Sequence, residues 1–416
     1  MFVVQNGVVQ MKHSLAHSGY SETSVPWFPT AASATSIAVP GVHVEVIDNL
    51  DALDQIASEW RTLEAKAPAS ATVFQSFAWC RAWIERYVQL KPIASFKVVT
   101  AREDGVLQLV WPLTIYRKHG MNEGRWLGEP MTQYGDVLMA ADAPQSALKK
   151  AWQFLEQKAG VDFLNLRKIK LDASVRRLEA FQQMVPVRRE ESVLVDLYGL
   201  QSIEEFNART KSKVRRERGR KRRRLGELGD ISFEVLETGP RAIATVKDAI
   251  AFKEQWLNER GLTSEAALIG DPFAVLADMA AGNRDAGLVV SRLCVDNEPA
   301  SIEVGFRWNG GYYAYLGAFN PKLEKYGPGA VQMEDTIAWC ISEGLAFYDL
   351  FAPADRYKLE WGDDRIPVFD IARACSLRGW MYSEFYLRTV RPMLKDVYTN
   401  LPIGARQWVA QTLLAR

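Results

Sequence analysis

The stretch Lys325-Tyr326-Gly327-Pro328-Gly329-Ala330, followed by a helix-patterned run over 330–344 and then by Asp355-Arg356-Tyr357-Lys358-Leu359-Glu360-Trp361, decides how this chain reads. An aromatic strand pattern, Tyr312-Tyr313-Ala314-Tyr315-Leu316-Gly317-Ala318-Phe319, stands just before it. Strand, glycine-rich turn and helix in that order make an anion cradle. The glycines let the backbone close in, and the first N–H groups of a helix lack partners and face the ligand. The anion that suits this geometry is the pyrophosphate of a nucleotide-like cofactor, which points to an enzyme. Alternation predicts Tyr313, Tyr315, Gly317 and Phe319 on one strand face, and a glycine inside a strand marks close approach by a backbone or ligand.

Working outward, apolar spacing predicts a strand at Val42–Ile47, a helix over Asp48–Leu63 and a second over Phe77–Tyr87. Strands follow at Ser95–Ala101 and Val106–Tyr116 around a Glu103-Asp104-Gly105 turn, then at Arg125–Leu127, Asp136–Met139 and Phe163–Leu166, with a helix at Ala147–Lys158. The second half replays this order. Helices at Ala242–Arg260 and Pro272–Met279 precede strands Gly287–Val295, Ala300–Trp308 and Gly311–Phe319, the helix at 330–344, and strands Phe347–Ala352 and Pro367–Ala374. An Asp-Asn turn at Asp296-Asn297 echoes the Asp-Gly turn of the first half. The repeat predicts two copies of one mixed α/β unit. The 416 residues also exceed one ordinary core.

With these residues in place, the second half resembles the acetyltransferase domain of the GNAT superfamily, in the FemAB-like branch that includes CelD-type proteins of cellulose biosynthesis. The resemblance rests on Tyr326-Gly327-Pro328-Gly329 heading a helix, Tyr348-Asp349-Leu350 as the next strand, and Asp355, Tyr357-Lys358 and Trp361. The tandem order and the basic helix between the halves extend it over residues 42–385. One position departs: the superfamily's cradle begins with Gln or Arg three residues before the first glycine, and here that residue is Glu324.

The resemblance implies an α/β (α+β) fold of tandem GNAT-like units, each a mixed, mostly antiparallel, twisted sheet flanked by helices. The expected division is a disordered tail at 1–41, an N-terminal unit at 42–190, a cofactor-binding unit at 191–385 with a basic helix at 206–228, and a helical extension at 386–416. It also implies acetyl-CoA or another acyl-CoA as cosubstrate, held by Tyr326, Gly327, Gly329 and Ala330, with Leu316 and Ala318 along the pantetheine arm. The reaction would pass an acyl group to an amine, as on an amino sugar of an exopolysaccharide, cellulose or cell-envelope precursor, including a lipid-linked one. Two alternatives stand beside it: a non-catalytic scaffold or sensor in polysaccharide assembly, and a FemAB-like aminoacyl transfer from charged tRNA.

Within that frame Glu303 is the candidate general base, since a strand carboxylate in a cleft can take a proton from an ammonium acceptor. Pairing with Arg307 on a solvated strand is its structural alternative. Tyr357 is the candidate acid for the leaving thiolate, and Asp355, Lys358 and Trp361 are candidate substrate contacts on a loop between strands. A snorkelling lysine and a packing tryptophan are the alternatives there. Direct attack of an amine on a thioester suits a chain without a Cys–His or Ser–His pattern.

Composition bounds the rest. Thirteen tryptophans suggest aromatic-lined clefts as well as packing. The four cysteines (Cys80, Cys294, Cys340, Cys375) and four histidines (His13, His17, His43, His119) show no metal-ligand spacing, so no metal is expected. The thiols and the lack of an apolar leader or spanning run predict a reduced, cytoplasmic protein, at most peripheral to the inner membrane.

The net charge of +1 hides one extreme: Arg209–Arg224 holds eleven Lys or Arg and a single acid, Glu217. Phe206, Val214, Leu225 and Leu228 fall on a narrow arc of that helix and are its expected docking stripe. The outer face calls for an anionic partner, either a membrane surface or lipid-linked precursor, nucleic acid, or the phosphate end of a cofactor. Nucleic acid is disfavoured by the absence of interleaved aromatics and of a helix-turn-helix partner.

Overall fold

The structure is a computed structural model that describes residues 41–402, except 89, 91–92, 119, 263–270, 272–273, 363, 383–384 and 386–388. The tail expected at 1–41 therefore lies outside the described residues apart from Gly41, as does the end of the C-terminal extension from 403 onward.

Among the described residues, thirteen strands join in one sheet. They are β1 (Val42–Ile47), β2 (Ile93–Glu103), β3 (Val106–Lys118), β4 (Met121–Trp126), β5 (Leu138–Met139), β6 (Phe163–Lys170), β7 (Arg188–Asp196), β8 (Ile231–Leu236), β9 (Leu288–Val295), β10 (Glu298–Trp308), β11 (Gly311–Phe319), β12 (Phe347–Asp349) and β13 (Asp364–Ala374). Their order is β1-β2-β3-β4-β6-β13-β7-β12-β11-β10-β9-β8, with β5 beside β3. The sheet reads the same way from either end. Antiparallel meanders β1 to β4 and β8 to β11 each meet a parallel neighbour, β6 or β12. The repeated element order predicts two copies of a mixed α/β unit, and the mostly antiparallel sheet is the one that the family resemblance implies.

At the centre the repeats exchange their last strands. β7, the end of the first repeat, pairs antiparallel with β12 of the second, and β13 pairs antiparallel with β6 of the first. β7 and β13 also pair with each other, from Asp364↔Leu194 to Asp370↔Arg188. Neither repeat completes its sheet alone.

Local chemistry explains most boundaries. Asp104 (φ 48°) with Gly105 (φ 82°), and Asp296 (φ 49°) with Asn297 (φ 67°), supply the paired left-handed residues that two-residue hairpins need. The helix expected over Asp48–Leu63 is two helices, Leu50–Gln55 and Ala57–Lys66, broken at Ile56. The basic helix expected at 206–228 is likewise two, Ile203–Arg209 and Ser212–Gly226. Of its expected stripe, Phe206 and Leu225 are buried but Leu228 is exposed. Tryptophans fill the core of the first repeat: Trp126, Trp111 and Trp152 stack in series with centroids 5.8 Å apart.

Candidate active site

The cradle forms as the sequence predicts. A 3₁₀ turn, Pro321–Tyr326, begins at Asn320, whose side chain accepts from the Lys322 N–H. It ends at Gly327 in the left-handed region (φ 69°, ψ 46°), and the helix Pro328–Ser342 starts at the next residue. Proline at the first helical position gives up only an N–H that has no intrahelical partner, and glycine takes the left-handed step without a Cβ penalty. A Cβ on Gly329 would meet Phe319 Cδ1 at 3.6 Å, ordinary contact, so the cradle floor has room above it.

The basic helix Ser212–Gly226 lies against this turn. Lys221 Cδ would come within 2.9 Å of a Cβ on Gly327, and the Arg224 guanidinium lies 5.4 Å from the Tyr326 ring centroid. Glu324 binds Arg260 at 2.5 Å, so the acidic departure in the cradle motif brings a cation beside the turn.

β11 and β12 pair only at Tyr312↔Tyr348 and Tyr313↔Asp349; beyond them β11 runs on to Phe319 without β12. This is a splay at the mouth of the cradle. β10 tracks β11 along the other edge, with a bulge between the Val304↔Leu316 and Phe306↔Tyr313 pairs. The bulge corrects the expected single face for Tyr313, Tyr315, Gly317 and Phe319. One extra residue shifts the alternation by one. Tyr313, Leu316 and Ala318 then pair with Phe306, Val304 and Ile302, while Gly317 and Phe319 pair with Glu303 and Ser301. Leu316 and Ala318 are buried in the large core, whereas Gly317 is exposed and a Cβ there would meet nothing within 4 Å.

Glu303 therefore sits next to open strand surface, on the face that the helix Pro328–Ser342 covers. Its side chain is buried. Oε2 accepts from the Tyr348 hydroxyl at 2.7 Å, and Oε1 has no hydrogen-bond partner. Burial lifts its carboxyl to about 7, against the opposing influence of the Tyr348, Tyr312 and Thr336 hydroxyls. Arg307, its expected partner, pairs with Glu343 at 2.8 Å instead. The Tyr312 and Tyr348 rings stack at 5.2 Å. Gln332 joins Ser291 (2.8 Å) to Thr336 (3.3 Å) under the same helix, leaving its own Oε1 unpartnered.

The loop after β12 carries the remaining candidates. Lys358 is buried and gives hydrogen bonds to the carbonyls of Phe351 (3.0 Å) and Pro353 (2.9 Å). Desolvation lowers its ammonium to about 8. It ties the loop together, with two of its three N–H bonds committed to that loop. Trp361 is buried, and one face takes the Arg218 guanidinium at 4.0 Å, so the ring packs the basic helix. Tyr357 is half exposed, and Asp355 is half-buried with its carboxyl raised by desolvation. Phe351 holds a left-handed φ of 58°, a costly conformation for a bulky residue at the strand end.

The first repeat contributes what the sequence did not assign. Residues 126–140 are buried throughout, although most form a loop. Two of their hydrogen bonds reach the second repeat: the Tyr315 hydroxyl donates to the Met131 carbonyl at 3.0 Å, and Tyr134 donates to Asp349 Oδ1 at 2.8 Å. Asp349 is buried, and desolvation raises its carboxyl. Tyr134-Gly135-Asp136 carries no recognisable motif, and only the closeness of a loop to the splay reveals it. Among the described residues, no group of His, Cys, Asp or Glu is arranged to hold a metal ion.

Residues 212–359 match the family model described as acetyltransferase (GNAT) domain, a span from the basic helix through β8 to β12 and the loop beyond. No curated protein matches the sequence. The structure is similar to that of FemX, with a TM-score of 0.55 and 10% identity over 82% of this chain and 99% of that one. It also aligns with a conserved protein of unknown function from Bacteroides thetaiotaomicron (TM-score 0.47, 10% identity, 79% and 99% of the chains). A tandem GNAT protein from the clavulanic acid biosynthesis pathway aligns at TM-score 0.41 and 10% identity, over 80% and 99%. At such identity the FemX likeness shows a shared fold, and the span that matches the family model contains the cradle, β11 and Glu303.

Proposed function

We propose that this chain is an acyl-CoA-dependent N-acyltransferase, acetyl being the expected group, acting on an amine of a polysaccharide or cell-envelope precursor. The observation that carries the reading is the Glu303 carboxyl, held near neutrality beside the open surface at Gly317 where β11 leaves β12. A general base works best with a pKa near the working pH. The cofactor, bound at Tyr326, Gly327, Gly329 and Ala330, supplies an acyl group activated as a thioester. Lys221 and Arg224 put positive charge beside the cradle for its phosphates. Glu303 takes a proton from the acceptor ammonium, directly or through water, and the neutral amine attacks the thioester carbonyl. As the C–S bond breaks, the attacking nitrogen releases its second proton to solvent, and Tyr357, close enough to Glu303 to feel its charge, is placed to give its phenolic proton to the leaving thiolate.

Calorimetric titration with acetyl-CoA tests the reading. Saturable binding that disappears in Gly329→Trp is the expected result, and no binding by the folded protein would sink it. Glu303→Gln should keep binding while kcat/KM falls by about 10²–10⁴-fold. Loss of binding instead would make Glu303 structural.

Aminoacyl transfer from charged tRNA is the second reading. The outward bases Arg209, Lys211, Lys213, Arg216, Arg220 and Arg223 on or beside the basic helix favour it, all of them exposed. RNA binding that weakens steeply with salt would move the assignment there.

A further inference from the structure

The helix Pro240–Glu259 packs on β11 and on the Pro321–Tyr326 turn that leads into the cradle. Its inward row runs Ala242, Val246, Ala249 and Leu257, all buried, at steps of three or four residues with one step doubled. At about 100° per residue, the skipped place between Ala249 and Leu257 belongs to residue 253. An apolar side chain is expected there, and the residue is Lys253. Trp256 and Arg260 follow on the same face.

Lys253 is half-buried, and among the described residues its ammonium has no hydrogen-bond or ion-pair partner. It stands 4.5 Å from the centroid of the Trp256 ring, and the Arg260 guanidinium shares that ring at 4.4 Å. Desolvation, with the like charges of Arg260 and Lys358, lowers the Lys253 ammonium to about 8. Both neighbours are engaged elsewhere: Arg260 with Glu324 and the Trp256 carbonyl, Lys358 with the carbonyls of Phe351 and Pro353. A lysine in a docking row is held there at a cost unless an anion meets it.

Position indicates which anion. Val246 and Ala249 share one buried core with Leu316 and Ala318, so Lys253 approaches β11 from the face opposite Glu303. Lys358, whose charge it feels, belongs to the loop that follows β12, beyond the point where β11 and β12 part. Arg260, tied to the turn through Glu324, is about 10 Å further along the helix. Lys253 is thus set back from the cradle, on the side left for an acceptor. A phosphate has more oxygens than a carboxylate, and can meet an ammonium and a guanidinium together.

We propose that Lys253 and Arg260, beside the Trp256 indole, bind a phosphate group carried by the acyl acceptor. This rests on the acyltransfer reading and narrows its acceptor to a phosphorylated amine, such as an amino-sugar phosphate. The test is calorimetric titration of the full-length protein with glucosamine-6-phosphate and with glucosamine, in the parent and in Gly329→Trp, whose cradle is blocked. Glucosamine-6-phosphate should bind both proteins, and glucosamine at least about tenfold more weakly. Lys253→Met should lose the preference and Lys253→Arg keep it. Acetyl-CoA affinity should stay within about twofold in both variants. Lys253→Met withdraws an unpaired, desolvated cation, so its melting temperature should not fall; Lys253→Gln gives the same readout should it misfold. The proposal is overturned by equal binding of the two sugars to the parent, or by a phosphate preference that survives Lys253→Met and Lys253→Gln. Loss of the preference in Gly329→Trp would place the phosphate in the cradle and overturn it too. So would a Lys253→Met variant that binds acetyl-CoA more weakly but acetyl-dephospho-CoA as before, since the cofactor's own phosphate would then be the occupant. The parent's acetyl-CoA titration reports on the cradle and the sugar pair on Lys253, so the two readings fail separately.

Discussion

Gly317 and Tyr134 are the two residues whose replacement best separates the site from its scaffold. Gly317 has open space where a side chain would stand and a negative φ, so Gly317→Leu should leave the melting temperature within about 1 °C of the parent. It would fill the surface next to Glu303, and the expected kinetic outcome is a raised KM for acyl-CoA or a lost reaction. An unaffected enzyme would place the acyl group elsewhere. Tyr134→Phe keeps the ring in the core but withdraws the hydroxyl from Asp349, a buried carboxyl that also accepts from the Phe351 N–H. An unsatisfied buried acceptor costs about 1–3 kcal/mol, readable as a lower denaturation midpoint. If Asp349 orients the site, kcat falls as well.

At the scale of elements, the basic helix is attached by charge as much as by apolar contact. Arg218 is buried between Trp361 and Phe206, with Glu334 at 3.8 Å and none of its nitrogens in a hydrogen bond. Desolvation lowers its pKa, against the opposing charges of Glu334 and Glu360. Arg222 reaches Asp335 and Glu334 one turn on. Arg218→Ala opens a hole beside Trp361 and Phe206 while Glu334 keeps Arg222, and should cost about 1–3 kcal/mol, whereas Arg218→Met paired with Glu334→Leu should be near neutral. Thermal melts of the two variants check the contrast.

The sequence resolved elements whose apolar period was clean. Phe77–Tyr87 and Gly311–Phe319 have the expected bounds, and the cradle helix starts within two residues of its expected position. β7 escaped because Arg188-Arg189-Glu190-Glu191 masks its apolar end, and β8 because one short alternation next to a charge block resembles a linker. The face change along β11 was hidden for a different reason. A bulge is a property of two strands together, and one strand's alternation carries no record of its partner's extra residue. Glu303 and the cradle were legible as single-strand and single-turn chemistry. Tyr134–Asp349, 215 positions apart, was not.

For the molecule as a whole, buried acids set the pH response. Burial lifts Glu129 and Glu303 to about 7, well above ordinary carboxyls. Between the ordinary value and 7 the folded chain keeps protons that the unfolded chain has released, so their contribution to stability fades as pH rises through that window. Lys358, lowered to about 8, works the other way at higher pH: stability returns once the unfolded chain must release a proton that the folded chain has already lost. At the acid end, hydrogen bonds from Arg81 and Arg102 hold Asp54 and Glu59 below their usual values, and that support disappears as they protonate. The melting temperature should therefore fall between about pH 5 and about pH 7.5. Glu129→Gln should flatten the fall, and a flat parent profile would show that these carboxyls are solvated.

The exchange of final strands also sets a timetable for synthesis. β6 and β7 leave the ribosome with the first repeat, yet their partners β13 and β12 lie about 150–200 residues further on. At about 5–20 residues per second, two sheet edges stay open for roughly ten to forty seconds. Open edges recruit stray strands. The charge-dense start of β7, Arg188-Arg189-Glu190-Glu191, stands where a nascent chain most needs to discourage pairing with its neighbours on a polysome.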